Sequence, residues 1–253
     1  MPISKTDFVR GLQCEKMLWL DAHCPHLRII PPEVQARLDK GNEFGDKAMG
    51  IFGEFVETTS FKEDGRLNYS AMIAKTQALL ASGENVICEA AFSWYGNYCA
   101  VDILRKEGNG YALYEVKNSP IPAKQFIVDL GFQRLILRKC GVPLITSKLI
   151  LSDEITEEKK PLSNSAENEK QVEQGCVERI EKDGIRFKIV DVDKAAKLME
   201  RTVEKHIFAF GKLKRKDAAC PIVGVGAHCE TPYPCWYIQH CKAQMQTNTS
   251  NIE

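Results

Sequence analysis

The sequence predicts an α/β fold, an α/β/α sandwich on a small mixed sheet, formed by one domain. Three segments with strand character follow one another closely, at residues 86–94, 98–105 and 111–117. A helix pattern comes next at 123–139, and an apolar strand follows at 144–151. Because this last strand is apolar enough to be interior, we expect it to run parallel to one of the first three. Helix, strands, helix and strand in this order indicate helices packed against a sheet.

The N-terminal part of the chain, about residues 4–83, is predicted to be mainly helical. Ser4 and Asp7 fit a capping box, which starts a short helix that ends near Gln13. Two prolines and apolar residues at three- and four-residue spacing predict a long helix after them. The further predicted elements are that long helix at about 32–52, a variable strand and turn at 53–67, and a helix from a cap at Asn68 or Ser70 to Ser82.

The C-terminal part contains the remaining predicted elements. Residues 153–171 are polar and charged, which indicates an exposed excursion from the domain. Two strands are expected at 172–180 and 185–190, and an amphipathic helix at 191–210. The last ordered element is a cysteine-containing loop that ends near residue 242.

The composition is that of an ordinary globular protein. The 253 residues are 44% hydrophobic and 27% charged, and the formal net charge is zero. Binding to nucleic acid would therefore depend on local basic patches and not on the overall charge. No run of 18 apolar residues occurs, and the N-terminus lacks the apolar core of a signal peptide. We expect a cytoplasmic protein with no membrane partner.

A predicted hairpin carries the candidate chemistry. Asp102 lies on its first strand, and the turn at residues 107–110 contains Gly and Asn. Glu115 and Lys117 lie two residues apart on the second strand, so both point to one face. Carboxylates without a counter-charge repel one another and resist desolvation, and a bound hard divalent cation commonly neutralises them. This pattern predicts a Mg²⁺ or Mn²⁺ site for phosphodiester chemistry; the alternative is an exposed sheet face with cross-strand charge pairs.

Two further residues belong to this candidate site. The carbonyl of Val116 would supply a further oxygen for the cation. Glu89, on the adjacent strand, is a candidate second carboxylate near the cation, and an ordinary charge on an edge strand is the competing interpretation. Lys117 would orient the attacking water or offset charge on the phosphoryl oxygens.

The cysteines form a second pattern. Cys229, Cys235 and Cys241 are spaced C-x5-C-x5-C, and Cys14 near the other end of the chain is the candidate fourth ligand. Thiol clusters in a cytosolic protein indicate metal. The wide spacing favours a 4Fe–4S cluster over zinc, and absence of any metal is the third interpretation. The other six cysteines are expected to be buried small hydrophobic residues.

In this order the motifs resemble the RecB-type branch of the PD-(D/E)XK nucleases, in particular its iron–sulfur members related to CRISPR-adaptation exonucleases and to the AddB nuclease domain. The resemblance extends from Cys14 through Asp102, the Glu115-Val116-Lys117 strand and Gln133 to Cys241. It implies a restriction-endonuclease-like fold whose nuclease core covers about residues 84–152, with termini joined by a metal cluster. It also implies that Gln133 contacts substrate.

The sequence departs from the family pattern at two positions. Gly45 stands where the family has histidine in a G-x-x-x-H helix, so that metal contact is missing or supplied by Glu43 or Asp46. Leu137 stands where the family has tyrosine four residues after Gln133. The resemblance implies a metal-dependent DNA exonuclease that prefers single strands, acting in repair, recombination or phage defence.

Two other functional classes remain open at this point. One is a catalytically impaired nucleic-acid-binding or scaffold module with the same fold. The other is a regulatory protein that is stabilised by a structural zinc site. The basic run 212–216 and Lys124, Arg134 and Arg138 are candidates for phosphate contacts, and solvated surface charge is the default interpretation.

Overall fold

The computed structural model describes residues 1–30, 32–154 and 176–249. In this part of the chain a mixed sheet of seven strands is combined with helices, in agreement with the predicted α/β class. The sheet order is β1-β2-β3-β4-β5-β7-β6. The strands are β1 (Val56–Glu57), β2 (Val86–Trp94), β3 (Asn97–Glu107), β4 (Gly110–Lys117), β5 (Leu144–Ser152), β6 (Cys176–Lys182) and β7 (Ile185–Asp191).

Five of the seven α-helices of the described residues match predicted helices, with shifted ends, and the helices Glu15–His23 and Ile238–Thr249 are additional to the prediction. The second of these corrects the prediction that the chain ends its ordered part in a loop near residue 242. The Ser4 and Asp7 capping box is present at the first helix, where the Ser4 hydroxyl accepts a hydrogen bond from the Asp7 amide. Asn68 caps the fourth helix, and Gly83 ends it in the left-handed conformation. The helices are α1 (Lys5–Gln13), α2 (Glu15–His23), α3 (Pro32–Ala48), α4 (Tyr69–Ser82), α5 (Lys124–Lys139), α6 (Asp193–Leu213) and α7 (Ile238–Thr249).

The central strands pair as the sequence predicts. β3 and β4 form an antiparallel hairpin, and β5 runs parallel to β4 after the α5 crossover. The long helix α3 ends at Ala48, four residues before the predicted end at Phe52. Of the predicted excursion at 153–171, residues 155–171 lie outside the described part of the chain, and so does the predicted start of the sixth strand at 172–175.

Two apolar clusters cover opposite faces of the sheet. Leu104 and Leu113 point to the face that packs against α1, α5 and α6. Their neighbours Ile103 and Tyr114 point to the other face, where Phe44 of α3 packs. The alternation of strand residues between two cores is what a sheet with helices on both faces requires.

The N-terminal helices pack against the C-terminal loop through a third apolar cluster. Met17 and Leu20 of α2 contact buried Cys229, Cys235 and Tyr237. This contact is also polar. The Gln13 amide donates to the carbonyl oxygens of His228 at 2.8 Å and Tyr233 at 2.7 Å. The two ends of the described chain are therefore held together by apolar contacts and hydrogen bonds within the chain.

Within the described residues, none of the helices has the length and the apolar composition that crossing a membrane would require.

The packing of α1 on α6 gives a test of the fold. A Cβ atom added at Gly11 would lie 2.7 Å from the Phe210 ring, whereas one added at Gly41 in α3 would have open space around it. We expect Gly11→Ala to lower the free energy of unfolding by about 1–3 kcal/mol through overpacking. Gly41→Ala should instead raise it by up to about 1 kcal/mol through helix propensity.

Urea unfolding of the two variants beside wild type measures both changes. Equal effects of the two substitutions would contradict the close approach of α1 and α6.

Candidate functional site

Three carboxylates lie side by side across β2, β3 and β4. The β2–β3 pairs Cys88↔Ile103 and Ala90↔Val101 flank Glu89 and Asp102, which places these two residues opposite each other. The β3–β4 register, continued by one residue beyond its last pair, places Asp102 opposite Glu115. Adjacent strands are about 4.8 Å apart, so the three acidic residues are near neighbours.

The backbone is irregular at this point. Glu89 has a φ of 54°, which residues other than glycine rarely adopt. On both sides of Glu89 the neighbouring residues Cys88 and Ala90 belong to opposite cores, so the in–out alternation of β2 changes phase there. Val101 and Ile103 of β3 also belong to opposite cores, which places the same change at Asp102. Irregular strand positions of this kind are concentrated at functional sites.

The Asp102 side chain also interrupts the backbone pairing of β3 with β4. Its Oδ2 atom accepts a hydrogen bond from the Val116 amide at 2.7 Å, where a regular ladder would place a backbone carbonyl. A cavity of about 380 Å³ opens beside this point, and Glu89, Asp102 and Glu115 all line it. Its other walls come from Lys5, Val116, Lys117, Asn118, Gly41, Asn42, Gly45, Asp46 and Met49.

Glu115 is the most enclosed of the three acidic residues, with 1% of its side chain exposed. The Lys117 ammonium lies 2.7 Å from its Oε1 atom, and the Lys5 ammonium lies 3.0 Å from the same atom. The buried amide of Gln133 donates to its other oxygen. Glu115 and Lys117 therefore share one face, as predicted, and the alternative of an exposed charged sheet face is wrong.

Asp129 on α5 fixes the position of Lys117. The Asp129 carboxylate lies 2.8 Å from the Lys117 ammonium, which also pairs with Glu115. Asp129 lies one turn before Gln133 on the same helix. In the structure its ion-pair partner is Lys117, so α5 orients both Glu115, through Gln133, and the lysine beside it.

Lys5 is the residue that sequence reasoning missed. It is the first residue of α1, directly after the Ser4 cap, and its ammonium bridges both oxygens of Glu115 at 3.0 and 3.2 Å. The sequence carries no motif that marks it, because its contact with Glu115 joins positions 110 residues apart. The ammonium of Lys5 lies at the wall of the cavity where a cation would neutralise the same carboxylate.

Burial and charge separate the pKa values of the carboxyl groups. Burial and then the nearby Glu115 raise the pKa of Asp102 to about 6, and burial and then Asp102 raise that of Glu89 to about 7. Burial opposes ionisation of Glu115 too, yet Lys117 and Lys5 hold the pKa of its carboxyl at about 2. The pKa of Lys117 is raised well above its usual value, because Glu115 and Asp129 outweigh the effect of burial.

The cluster has an excess of negative charge when all its groups ionise. Glu89, Asp102, Glu115 and Asp129 supply four negative charges, and Lys5 and Lys117 supply two positive ones, which leaves two negative charges. Carboxylate oxygens are the ligands that Mg²⁺ and Mn²⁺ prefer. Asp102, Glu115 and the Val116 carbonyl fit such an ion by chemistry. In their present arrangement, the described residues include no group of three or more His, Cys, Asp or Glu side chains placed to hold a metal ion.

Gly45, at which the resemblance implies a histidine, faces open space. No atom lies within 4 Å of a Cβ added at Gly45, which lines the cavity together with Asp46. Glu43, the other residue considered as a substitute for the histidine, is absent from the lining. It forms an ion pair with Lys47 at 2.7 Å on the exposed side of the helix. Of the two substitutes, only Asp46 is in place to reach the cavity.

Gln133 is buried and does not line the cavity. Its amide holds Glu115, and its Oε1 atom has no hydrogen-bond partner among the described residues. Leu137, one turn later, is part of the apolar core. The structure therefore gives Gln133 a positioning role toward Glu115, and the substrate contact that the resemblance implies stays a prediction.

Most of the predicted phosphate-binding basic residues have structural partners instead. Arg134 is buried and pairs with Asp193 and Glu200, so its assignment to a phosphate-binding surface is wrong. Arg138 pairs with Glu200 and Glu204 on α6. Lys214, in the predicted basic run, pairs with Asp7 at 2.7 Å. These charges hold helices together, and the basic groups at the cavity are Lys5 and Lys117.

The four candidate cysteine ligands meet in the cluster that joins the two ends of the chain. Cys229 and Cys235 are buried in it, and Cys14 and Cys241 pack against it. Burial, followed by the effect of the neighbouring Cys14, Cys229 and Cys241, raises the pKa of Cys235 to about 11. All four are free thiols. The four cysteines thus lie in one cluster, although their present arrangement is not that of a metal site.

The other cysteines are not uniformly buried. Cys88 and Cys99 are core residues as expected, but Cys140 and Cys220 are exposed, which corrects the prediction for these two. Cys24 packs against the cluster of the four candidate ligands, a proximity that its sequence spacing did not indicate. The side chain of Cys176 lies outside the described part of the structure.

Comparison with known proteins gives no family for this chain. No protein-family model matches it, and no curated protein sequence matches it.

The raised pKa values of Asp102 and Glu89 predict a pH dependence of stability in the presence of EDTA. The folded state binds these protons more tightly than the unfolded state, in which both groups titrate near pH 4. Stability should therefore fall as the pH rises from about 4 to about 7 and level off above that range. Asp102→Asn keeps an oxygen for the Val116 amide and should reduce the fall.

Urea unfolding across this pH range measures the effect, with Asp64→Asn as the control. Asp64 is exposed and pairs with Arg66, so its replacement should leave the slope unchanged. A wild-type stability that rises across the same range would contradict the predicted pKa shifts.

Proposed function

We propose that this chain is a metal-dependent nuclease that hydrolyses phosphodiester bonds. The observation that carries the proposal is the convergence of Asp102, Glu115 and Lys117 on one cavity, with Lys5 as a second ammonium beside them. Carboxylates for a hard cation next to amines for phosphoryl oxygens form a set of groups suited to displacement at phosphorus.

Each group has a defined part in this proposal. Asp102, Glu115 and the Val116 carbonyl would hold Mg²⁺ or Mn²⁺, with Glu89 as an additional carboxylate beside Asp102. The ion would supply an activated water and neutralise charge on the phosphate. Lys117, which pairs with Asp129, would position the attacking water or offset charge on a phosphoryl oxygen. Gln133 keeps the Glu115 carboxylate facing the cavity.

The narrower assignment rests on the family resemblance. That resemblance supports DNA as the substrate, single strands as the preferred form and removal of nucleotides from an end. Repair, recombination and phage defence are the processes in which such an exonuclease acts. A cytoplasmic location is consistent with this activity.

A second proposed cofactor concerns the cysteines. Cys14, Cys229, Cys235 and Cys241 supply four thiols in one apolar cluster, which suits a 4Fe–4S cluster, with zinc as the alternative. Its role would be structural. A cross-link between Cys14 and the C-terminal loop closes more than 200 residues. Such a cross-link stabilises by about 5 kcal/mol in the chain-entropy model.

One observation favours the competing function, a catalytically impaired nucleic-acid-binding or scaffold module. Glu115 is already neutralised by Lys5, Lys117 and the Gln133 amide, without any metal. Gly45 adds to this argument, because it leaves out the imidazole that the family places at the cavity.

Metal binding and catalysis can be tested on the same variants. Mn²⁺ at about 100 times its dissociation constant should stabilise the wild type by about 2.7 kcal/mol. Asp102→Asn and Glu115→Gln should lose this gain, and their hydrolysis of end-labelled single-stranded DNA should fall by about 100-fold or more. Lys117→Met should lower the hydrolysis to a similar extent but retain stabilisation by the metal.

Asp64→Asn is the matched control and should behave as wild type in both assays. Stabilisation by Mn²⁺ without hydrolysis by the wild type would favour the binding module. Hydrolysis that survives in both carboxylate variants would contradict the proposed site.

The proposed cluster predicts a coloured protein after anaerobic purification. Wild type should contain about four iron atoms per chain, and Cys14→Ser and Cys235→Ser should lose iron and unfold at a lower temperature. Cys140→Ser is the control, because Cys140 is exposed and lies outside the cysteine cluster. Equal metal content in all four proteins would contradict the ligand set, and zinc in place of iron would support the alternative.

A further inference from the structure

A second cavity, of about 330 Å³, adjoins the first along helix α1. Lys5 and Lys117 line both cavities, so the second one begins at the ammonium groups that pair with Glu115. Its far wall is formed by Tyr233 and Trp236 of the cysteine loop. The cavity therefore has the ammonium groups of Lys5 and Lys117 at one end, where the Asp129 carboxylate pairs with Lys117, and two aromatic residues at the other.

The aromatic wall carries a further positive charge. The Arg10 guanidinium lies 4.4 Å from the centre of the Trp236 ring, in the position of a cation–π contact. Arg10 also lines the cavity and pairs with Asp21. A ligand with a flat, partly apolar body and an anionic group at one end matches this distribution of charge and aromatic surface.

Several hydrogen bonds hold the wall in place. The Gln13 amide binds the Tyr233 carbonyl, and the Trp236 carbonyl accepts from the Ile29 amide at 3.0 Å. Next to Trp236, the Tyr237 hydroxyl donates to Asp21 at 2.7 Å. A wall fixed in this way needs little reorganisation to receive a ligand.

We propose that this cavity binds one nucleotide of a single-stranded nucleic acid, next to the phosphate that is cleaved. The base would lie against Tyr233 and Trp236, and its phosphate would lie at Lys5. The cavity volume is at the small end of the range of about 300–1,000 Å³ for ligand pockets, which suits one nucleotide. This inference rests on the proposed nuclease function and assigns the substrate-binding part of the site.

Binding can be measured without hydrolysis, in EDTA, with a short fluorescent oligothymidylate followed by anisotropy. Trp236→Leu and Tyr233→Leu should each weaken binding by about 5- to 150-fold, the effect of losing one base–aromatic contact. Trp236→Phe keeps an aromatic ring and should have a smaller effect, which separates loss of stacking from misfolding. Trp94→Leu is the control, because Trp94 packs against Phe208 and lies outside both cavities.

An oligonucleotide without the terminal base identifies the group that is bound. It should bind wild type and Trp236→Leu with equal affinity, because the aromatic contact is already missing. The inference is overturned if wild type does not bind in EDTA, if Trp236→Leu and Tyr233→Leu bind as wild type does, or if Trp94→Leu weakens binding as much.

Hydrolysis with Mn²⁺ distinguishes this inference from the proposed function. In an active enzyme, Trp236→Leu should raise KM with little change in kcat. Binding that depends on Trp236 in a wild-type protein without hydrolysis would support the nucleotide site and contradict the nuclease. Hydrolysis with a KM that is unaffected by Trp236→Leu would support the nuclease and overturn the nucleotide site.

Discussion

The structure of this protein depends on a group of charges held between a sheet and two helices. Glu115 is nearly inaccessible to solvent, and an isolated carboxylate in that position would be strongly destabilising. Lys117 on the same strand and Lys5 from α1 make its burial tolerable, with a hydrogen bond from Gln133 of α5. The positions of α1 and α5 against the sheet are therefore tied to the neutralisation of one side chain, and the carboxylates that remain in excess define the cavity.

The sequence predicted those parts of the fold and site that depend on local periodicity. Glu115 and Lys117 share a face because strand side chains alternate, and β5 runs parallel to β4 because the α5 crossover separates them. The capping box at Ser4 also depends on four consecutive residues only. In each case the decisive interaction lies within one element or between adjacent elements, where sequence spacing determines geometry.

The rest could not be predicted, because it depends on contacts between distant segments or on irregular backbone. Lys5 contacts Glu115 although the two residues are 110 positions apart in the sequence. The ion pair between Asp129 of α5 and Lys117 of β4 also joins two different elements. Strict alternation of side chains along β2 would assign Glu89 to one face of the sheet. Its positive φ interrupts this alternation, and the interruption determines where the carboxylate lies. The sequence around Arg134 does not distinguish it from a surface arginine, because the acidic residues that pair with it when it is buried lie far along the chain, on α6.

Helix α1 connects the charged cavity to the cysteine loop. Its first residue, Lys5, pairs with Glu115, and its last residue, Gln13, holds the loop that carries Tyr233 and the cysteines. Nine residues of α-helix span only about 13 Å, so a shift of the loop is transmitted to Lys5 by a rigid element. A metal bound by the cysteines would thus act on the cavity without touching it, by fixing α1. For this reason the cysteine cluster and the carboxylate cavity are parts of one arrangement, and the cavity proposed to bind a nucleotide lies along the helix between them.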